Sequence, residues 1–421
     1  YKAEEFEFYL EDLKAKALIV EEGSKSPAVD VAQKLGVMVI ELIVPENADA
    51  GLFQLKGEAV GSAASPGPAK ADDTALILHT SGTTSRPKIV PLSHRNVAAS
   101  ARNIARSLAL TPKDKCLNIM PLFHIHGLIA AVLSSLKAGA SVICTPGFNA
   151  LKIFGWIDDE KPTWYTAVPT MHQAILARGA RNADIINAAQ LRFIRSSSAS
   201  LPPQVMTSLE KMWNCPVIEA YGMTEASHQM AANPLPPAKR IPGSVGIASG
   251  PEVAIMSEDG QLLTPGETGE IVIRGENVTK GYENNPKANA EGFSGGWFRT
   301  GDQGILTADG YLSITGRLKE IINRGGEKIS PREVDEILMN HPAVEQVVTF
   351  ALPHEKLGEE VAAAVVLKDD QQATEAELRD FAATSLAAFK VPRSITLLDE
   401  IPKGATGKLQ RIGLAEKLGL A

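Results

Sequence analysis

The stretch Thr80-Ser81-Gly82-Thr83-Thr84-Ser85-Arg86-Pro87-Lys88 puts hydroxyls, a glycine and two cations directly after the apolar run Ala75-Leu76-Ile77-Leu78. Hydroxyls and exposed backbone N–H groups can wrap phosphate oxygens, a glycine admits the backbone closely, and Lys88 can supply counter-charge. An ordinary solvated Ser/Thr turn is the competing reading. The stretch is not a Walker loop: the GxxxxGK[ST] spacing is absent, and Ile89-Val90 reads as a strand rather than a helix. Phe123-His124-Ile125-His126-Gly127 offers two imidazoles on one face if the chain is extended. Such a pair can bind zinc, but no third ligand is apparent in the sequence, so no metal site is expected there.

The elements around these residues read as an α/β chain. Glu4 to Lys14 and Ala28 to Lys34 have helical patterning, and Ala15 to Val20 and Val37 to Val44 read as buried strands. Residues 48–73, rich in Gly, Ala, Ser and Pro, read as a connecting segment. Ser93 is placed to cap a helix, and further strand–helix units run to about Tyr221, implying a mostly parallel sheet covered on both faces. From Ser244 to Thr315 short alternating runs are separated by Glu258-Asp259-Gly260, Pro265-Gly266-Glu267 and Ala308-Asp309-Gly310, which is antiparallel hairpin chemistry. Ser330-Pro331-Arg332-Glu333 and Thr374-Glu375-Ala376-Glu377 have the capping-box pattern. The expected fold is therefore α/β: a large domain over residues 1–316, with parallel α/β layers and a small antiparallel β subdomain, followed by a small mobile α+β domain over 317–421.

Composition narrows the function classes. The 421 residues carry 42 basic and 49 acidic side chains, a net charge of −7, which gives no electrostatic reason for nucleic-acid or anionic-membrane binding. Apolar runs such as Leu128 to Leu133 are far below the roughly 18–20 residues of a membrane helix. The three cysteines, Cys116, Cys144 and Cys215, are far apart and suit a reduced compartment. The start shows no basic segment followed by an apolar core, and the final Gly-Leu-Ala is not a peroxisomal tripeptide, so a cytoplasmic protein is expected.

Four further segments follow the Thr80–Lys88 loop in order: Glu219-Ala220-Tyr221-Gly222-Met223-Thr224-Glu225, Trp297-Phe298-Arg299-Thr300-Gly301-Asp302, Gly316-Arg317-Leu318-Lys319-Glu320 running into Gly325-Gly326-Glu327-Lys328-Ile329, and Pro402-Lys403-Gly404-Ala405-Thr406-Gly407-Lys408-Leu409. Together they resemble the adenylate-forming superfamily of acyl-CoA synthetases, luciferases and peptide-synthetase adenylation domains. The likeness runs along the whole chain. Within the superfamily the chain looks most like the CoA ligases that activate oxalate, on Arg195-Ser196-Ser197-Ser198-Ala199-Ser200-Leu201, Glu225-Ala226-Ser227-His228 and the Ile322 to Pro331 run. Many relatives have a Gly-Gly-Ala type turn where this chain has Ser198-Ala199-Ser200. They also carry a further N-terminal segment, so the chain is expected to begin within its first domain.

The resemblance implies two steps: a carboxylate attacks the α-phosphorus of ATP, giving an acyl-adenylate and pyrophosphate, and the thiol of coenzyme A then displaces AMP. An anion must approach a polyanion, so charge neutralisation and positioning carry the chemistry. Lys408 is implied to bridge the acid and the α-phosphate, and Glu225, beside Thr224, to hold Mg²⁺. Thr80, Ser81, Gly82, Thr83, Thr84 and Lys88 would cradle phosphates. Tyr221 would stack on adenine, Asp302 bind the ribose hydroxyls, and Arg317 reach ribose or phosphate. Ser198, Ala199, Ser200, Glu219, Ala220 and Gly222 complete the implied nucleotide site. Lys319 is the implied hinge, and Gly326 would line the tunnel for the pantetheine arm. For the acid, His228, Ser198 and His124 are the candidates. Each has a plainer reading as a core aromatic, a turn residue or a surface charge, and Glu333 is explained by its capping position alone. The partners expected are a small carboxylate, ATP and coenzyme A, with the protein a monomer or homodimer. The alternatives are a medium-chain or aromatic acid–CoA ligase of the same fold, and a non-catalytic nucleotide-binding scaffold.

Overall fold

A computed structural model describes residues 2–49, 51–57, 66–80, 87–402 and 409–421, and the chain divides into two units, Tyr1–Pro68 and Ala69–Ala421. In the first, helix Ala3–Asp12 leads to β1 (Ala17–Glu21), and helix Pro27–Lys34 connects β1 to a parallel neighbour, β2 (Met38–Ile43). Pro27 stands at the first helical position behind Ser26, whose hydroxyl accepts from Ala28 N. Leu10, Val31 and Ala32 are the buried centre of this unit. The stretch expected to be only a connection contributes β3 (Gln54–Lys56), antiparallel to β2; it pairs backbone groups that an open edge would leave unsatisfied.

The second unit opens with β4 (Thr74–His79) and β5 (Ile89–Ser93), an antiparallel pair on either side of the hydroxyl-rich stretch in sequence. Ser93 caps helix His94–Ser107 as expected, accepting from Asn96 N while Asn96 Oδ1 accepts from Ser93 N. Five strands then lie parallel: β6 (Lys115–Asn118), β7 (Ser141–Cys144), β8 (Trp164–Ala167), β9 (Phe193–Ser196) and β10 (Val217–Met223). The antiparallel β11 (His228–Ala232) and β12 (Ile247–Ala248) extend the sheet, in the order β12-β11-β10-β9-β8-β6-β7.

β8 and β9 are buried at every position because elements cover both faces. Tyr165 and Ile194 pack with helices Ile153–Glu160 and Pro203–Trp213 on one side. Trp164 and Phe193 pack with Ile104 and with Ile129 and Ala130 of the π-helix His126–Leu133 on the other. Successive strand residues alternate faces, so Thr166 and Arg195 share the face of Trp164 and Phe193, toward the π-helix. His124 and His126 therefore do not share one face of an extended run; the chain winds into that helix at His126.

At the opposite end of this sheet, Asp114 anchors Arg192. The buried carboxylate accepts from Arg192 Nε at 2.8 Å, Thr111 N at 2.8 Å and Thr163 Oγ1 at 2.9 Å. Burial opposes its charge, but these bonds outweigh burial and hold the carboxyl below its ordinary range. Asp114→Ala should cost about 1–3 kcal/mol in urea unfolding at pH 7, since it removes the shared acceptor of Arg192, Thr111 and Thr163, donors that are themselves exposed or half-buried. The depressed value makes this contribution present above the ordinary aspartate pKa and lost as pH falls, so the two proteins should converge in acid.

The antiparallel sheet expected after Ser244 comprises β13 (Glu252–Met256), β14 (Thr268–Arg274), β15 (Phe293–Ser294), β16 (Trp297–Leu306) and β17 (Leu312–Arg317). A mixed sheet follows: β18 (Ile322–Arg324), β19 (Glu327–Ile329), β20 (Val344–His354), β21 (Gly358–Leu367) and β22 (Ser394–Leu397), with helices Pro331–Leu338 and Glu375–Ala383 against it. Thr374 caps the second helix as its sequence pattern predicts. Ser330 does not cap the first: its hydroxyl donates to Thr315 O, and Glu333 instead pairs with Lys390 Nζ at 2.7 Å. A tertiary acceptor within reach wins over the local cap. Among the described residues no helix is long and apolar enough to cross a membrane, and the three cysteines are free.

Candidate functional site

The carboxyl ends of parallel strands are where α/β sheets gather ligand-binding side chains. Here Thr166 of β8 lies in register with Arg195 of β9, and Glu219 of β10 with Ser196. Beyond β9 the chain turns at Ser198 with φ +74°, leaving Ala199 and Ser200 exposed. Ser197 Oγ donates to Ala220 O at 2.8 Å, and Leu201 N donates to Glu219 Oε1 at 2.9 Å, so β10 holds both flanks of the turn.

Glu219 is thus a buried carboxyl facing the interior, with Oε2 unpartnered among the described residues. Burial pushes its pKa up to about 7 from 4.5. The folded value exceeds the unfolded one, so its stabilising contribution is complete below about pH 4.5 and is lost as pH rises through 7. Glu219→Gln should flatten that decline, with the melting temperature of the variant above that of the parent at pH 8 and the two close at pH 4.

After β10 comes the short turn Thr224–Ala226, then Ser227 at φ +51° and His228 at φ +104°. Non-glycine residues held at positive φ carry strain, and such strain clusters at functional sites. Here it is held from several elements: Ser100 Oγ donates to Ser227 O, Asn277 Nδ2 donates to Ala226 O and Gln229 O, and Thr279 N donates to Glu225 O. Gly222 is the complement of that strain. A Cβ built there would sit 1.8 Å from His228 O and 3.0 Å from His228 Nδ1.

A buried polar network joins these elements. His126 Nε2 is 2.6 Å from Thr166 Oγ1 and His126 Nδ1 is 3.0 Å from Ser198 Oγ. The His126 and His228 rings meet edge to face at 5.4 Å. Arg195, fully buried, reaches Gln229 Oε1 at 3.2 Å and both Thr166 Oγ1 and His228 Nδ1 at 3.5 Å. Thr166 and Gln229 carry no signal in the sequence reading, which considers His126 only as half of a possible zinc pair and Arg195 only within the stretch that carries the resemblance. Of the two neighbouring histidines, the reading favoured His124, whose Nδ1 accepts from His126 N at 3.1 Å. An arginine inside the apolar run Leu191-Arg192-Phe193-Ile194-Arg195 was the available signal.

The second cluster is built by β10, β16 and β17. Tyr221 OH donates to Asp302 Oδ2 at 2.5 Å, and Arg317 Nε lies 3.6 Å from Asp302 Oδ1. Burial first, and the Asp302 charge second, raise the Tyr221 phenol well above its ordinary pKa, so it stays a donor. Tyr282 OH donates to Glu225 Oε1 at 2.8 Å, and Lys88 Nζ lies 4.4 Å over the Tyr282 ring. Thr80 and Lys88 are tied together: Thr80 N donates to Lys88 O and Thr80 Oγ1 accepts from Lys88 N. Tyr221, Glu225, Asp302, Arg317 and Lys88 thus belong to one neighbourhood. Ala220 is buried in the strand, and Thr224 opens the turn carrying Glu225. Ser81, Gly82, Thr83, Thr84 and Lys408 lie outside the described residues.

Lys319 is exposed in a tight turn in which Glu320 N and Ile321 N both donate to Arg317 O. Gly326 follows Gly325 in the hairpin joining β18 and β19, with φ +97° and +60°. That primed turn requires glycine whatever passes beside it.

The sequence matches the AMP-binding enzyme family over residues 1–283 and the AMP-binding enzyme C-terminal domain over 333–408. It is 48% identical over 415 residues to an oxalate–CoA ligase of Arabidopsis thaliana, covering 98% of this chain and 80% of that protein. It is 44% identical over 440 residues to an oxalate–CoA ligase of Saccharomyces cerevisiae, covering 99% and 80%. Its structure superposes on ATP-bound MatB from Rhodopseudomonas palustris with a TM-score of 0.87 at 30% identity, over 99% of this chain and 82% of that one.

Proposed function

The chain belongs to the AMP-binding enzyme family, and we propose that it converts oxalate, ATP and coenzyme A to oxalyl-CoA, AMP and pyrophosphate. An oxygen of one oxalate carboxylate attacks the α-phosphorus as the bond to pyrophosphate breaks. The thiol then attacks the acyl carbon, and AMP leaves. Lys408 neutralises the approach of the two anions; Asp302 and Arg317, already tied together, receive the ribose side; Tyr221 lies beside adenine. Thr80, Lys88 and the loop between them take the phosphates.

The buried Glu225 carboxylate and the neighbouring Thr224 hydroxyl are hard oxygen donors and fit Mg²⁺. Bound there, Mg²⁺ would neutralise phosphate charge. One protein carboxylate suffices, because this ion keeps water and phosphate ligands. The reading also takes residues 317–421 as a domain turning about Lys319, so that Lys408 leaves and Gly326 arrives between the steps. We place the reaction in the cytoplasm, with the protein a monomer or homodimer.

The observation that carries the acid assignment is the chemistry beside the Ser198 turn. His126, Thr166, Arg195, His228 and Gln229 are polar and buried, where a medium-chain or aromatic acid would need hydrocarbon. The test is pyrophosphate release with ATP and Mg²⁺, with and without coenzyme A, comparing oxalate, malonate, acetate, octanoate and a cinnamate. Release with oxalate alone is expected. Release only with an apolar acid would discard the Ser198 and His228 assignment, and silence with every acid would favour the nucleotide-binding scaffold.

A further inference from the structure

Arg195 is a fully buried cation whose polar contacts are all neutral: Thr166, His228 and Gln229. Among the described residues none of its nitrogens makes an ion pair, and Nε has no hydrogen-bond partner. Burial lowers its pKa to about 9, which still leaves it charged at neutral pH. A buried charge without a counter-ion is costly to fold around. The half-buried Arg411 behaves differently: it meets both Asp335 and Glu320.

The hydrogen-bond directions around Arg195 follow from one rule, that a guanidinium only donates. The His228 nitrogen facing it, Nδ1, is therefore an acceptor, which places the ring proton on Nε2. Thr166 Oγ1 likewise accepts from Arg195 and spends its own proton on His126 Nε2, 2.6 Å away. His126 Nδ1 then carries the proton toward Ser198 Oγ, and the Ser198 hydroxyl proton is left to donate outward from a half-buried turn. Followed outward from the guanidinium, both chains orient a donor, the Ser198 hydroxyl in one and the His228 Nε2–H in the other. Two polarised donors backed by an uncompensated cation are a receptor for an anion.

We propose that Arg195 is a positioning residue that supplies, through His228 and through Thr166, His126 and Ser198, the counter-charge for the second carboxylate of the acid. This rests on the dicarboxylate reading above and adds the residue that makes it selective. Arg195 does not touch the acid; it sets the polarity of the two residues that do.

Oxalate and oxamate test this, because oxamate keeps the reacting carboxylate and replaces the second by a neutral amide. In the unmodified protein kcat/KM for pyrophosphate release should favour oxalate. Arg195→Met should lower kcat/KM for oxalate by about tenfold to a hundredfold, as loss of a charged hydrogen-bond donor does, mainly through KM. Oxamate kinetics and KM for ATP should change little, so the oxalate-to-oxamate ratio collapses. Arg195→Lys should restore part of that ratio. Equal loss for both acids, or an unchanged ratio, would show a merely structural arginine and overturn the proposal. If Arg195→Met lacks a cooperative thermal transition, the ratio in the neutral Arg195→Gln decides: a value equal to that of the parent overturns the proposal, and a lowered one with KM for ATP intact supports it. Failure of the unmodified protein to use oxalate overturns the underlying reading and this inference together, whereas oxalate turnover with an unchanged ratio in the variants overturns only the inference.

Discussion

Lys408→Ala is expected to abolish oxalate-dependent pyrophosphate release while leaving thioester formation from a supplied acyl-adenylate largely intact. The adenylation step forces a carboxylate against the α-phosphate of a tetra-anionic nucleotide. A single fixed cation shared by both groups is aimed at the charge that develops as they react. Loss of one such stabilising group typically costs about a hundredfold to a thousandfold in rate. The second step has different needs, since a thiol attacks an acyl carbon and AMP departs, and the proposed rotation about Lys319 withdraws Lys408 before it occurs. Separate assay of the two half-reactions is therefore the informative experiment. Parallel loss of both would mean that Lys408 holds the fold or serves the two steps alike, and the assignment would fall.

Gly222→Ala is the second large effect. The added methyl would meet backbone, His228 O at 1.8 Å and His228 C at 2.5 Å, which no side-chain rotation relieves. The β10–β11 pair must open at the point where its register already shifts, between Tyr221 and Gly222. His228 moves with it, and so do Ser227 and the turn carrying Glu225. A loss of about 1–3 kcal/mol in stability is expected from overpacking alone. Activity should fall further than that stability loss explains, by at least about a hundredfold in kcat/KM, because a displacement near 1 Å of positioning groups has that cost. Unfolding in urea and kinetics on the folded fraction separate the two. A folded variant with parental kinetics would show that the close approach of β11 is unrelated to the site.

Much of the fold was legible because its signals are local. The caps at Ser93 and Thr374 depend on residues three apart, the antiparallel region on its turn sequences, and the parallel strands on short apolar runs between helices. Where a distant partner competes, the local reading fails. Ser330 has the composition of a cap, yet its hydroxyl bonds Thr315. Residues 54–56 lie in a stretch composed like a linker, yet they pair with β2.

The site divides the same way. Tyr221, Glu225, Asp302, Arg317 and Lys88 stand in motifs whose residue types already suit phosphate, ribose and metal chemistry, and the family of the chain followed from their order. Sequence by itself determined which reaction class the protein serves, because the groups proposed to face ATP are set by its chemistry and appear as short contiguous signatures. Only the tertiary structure decided how the polar network proposed to face the acid is organised. Arg195 and Gln229, or His126, Thr166 and Ser198, are 29 to 72 residues apart in their pairings and meet only once the sheet is assembled. An arginine read from a sequence has no visible counter-ion either way; the lack of one emerges only when every neighbour within 4 Å is in place. Gly222 looks like one more motif glycine until β11 folds back across it. The physical reason is common to all three: hydrogen-bond direction, charge compensation and close backbone contact depend on distance in space, and long-range pairing sets that distance.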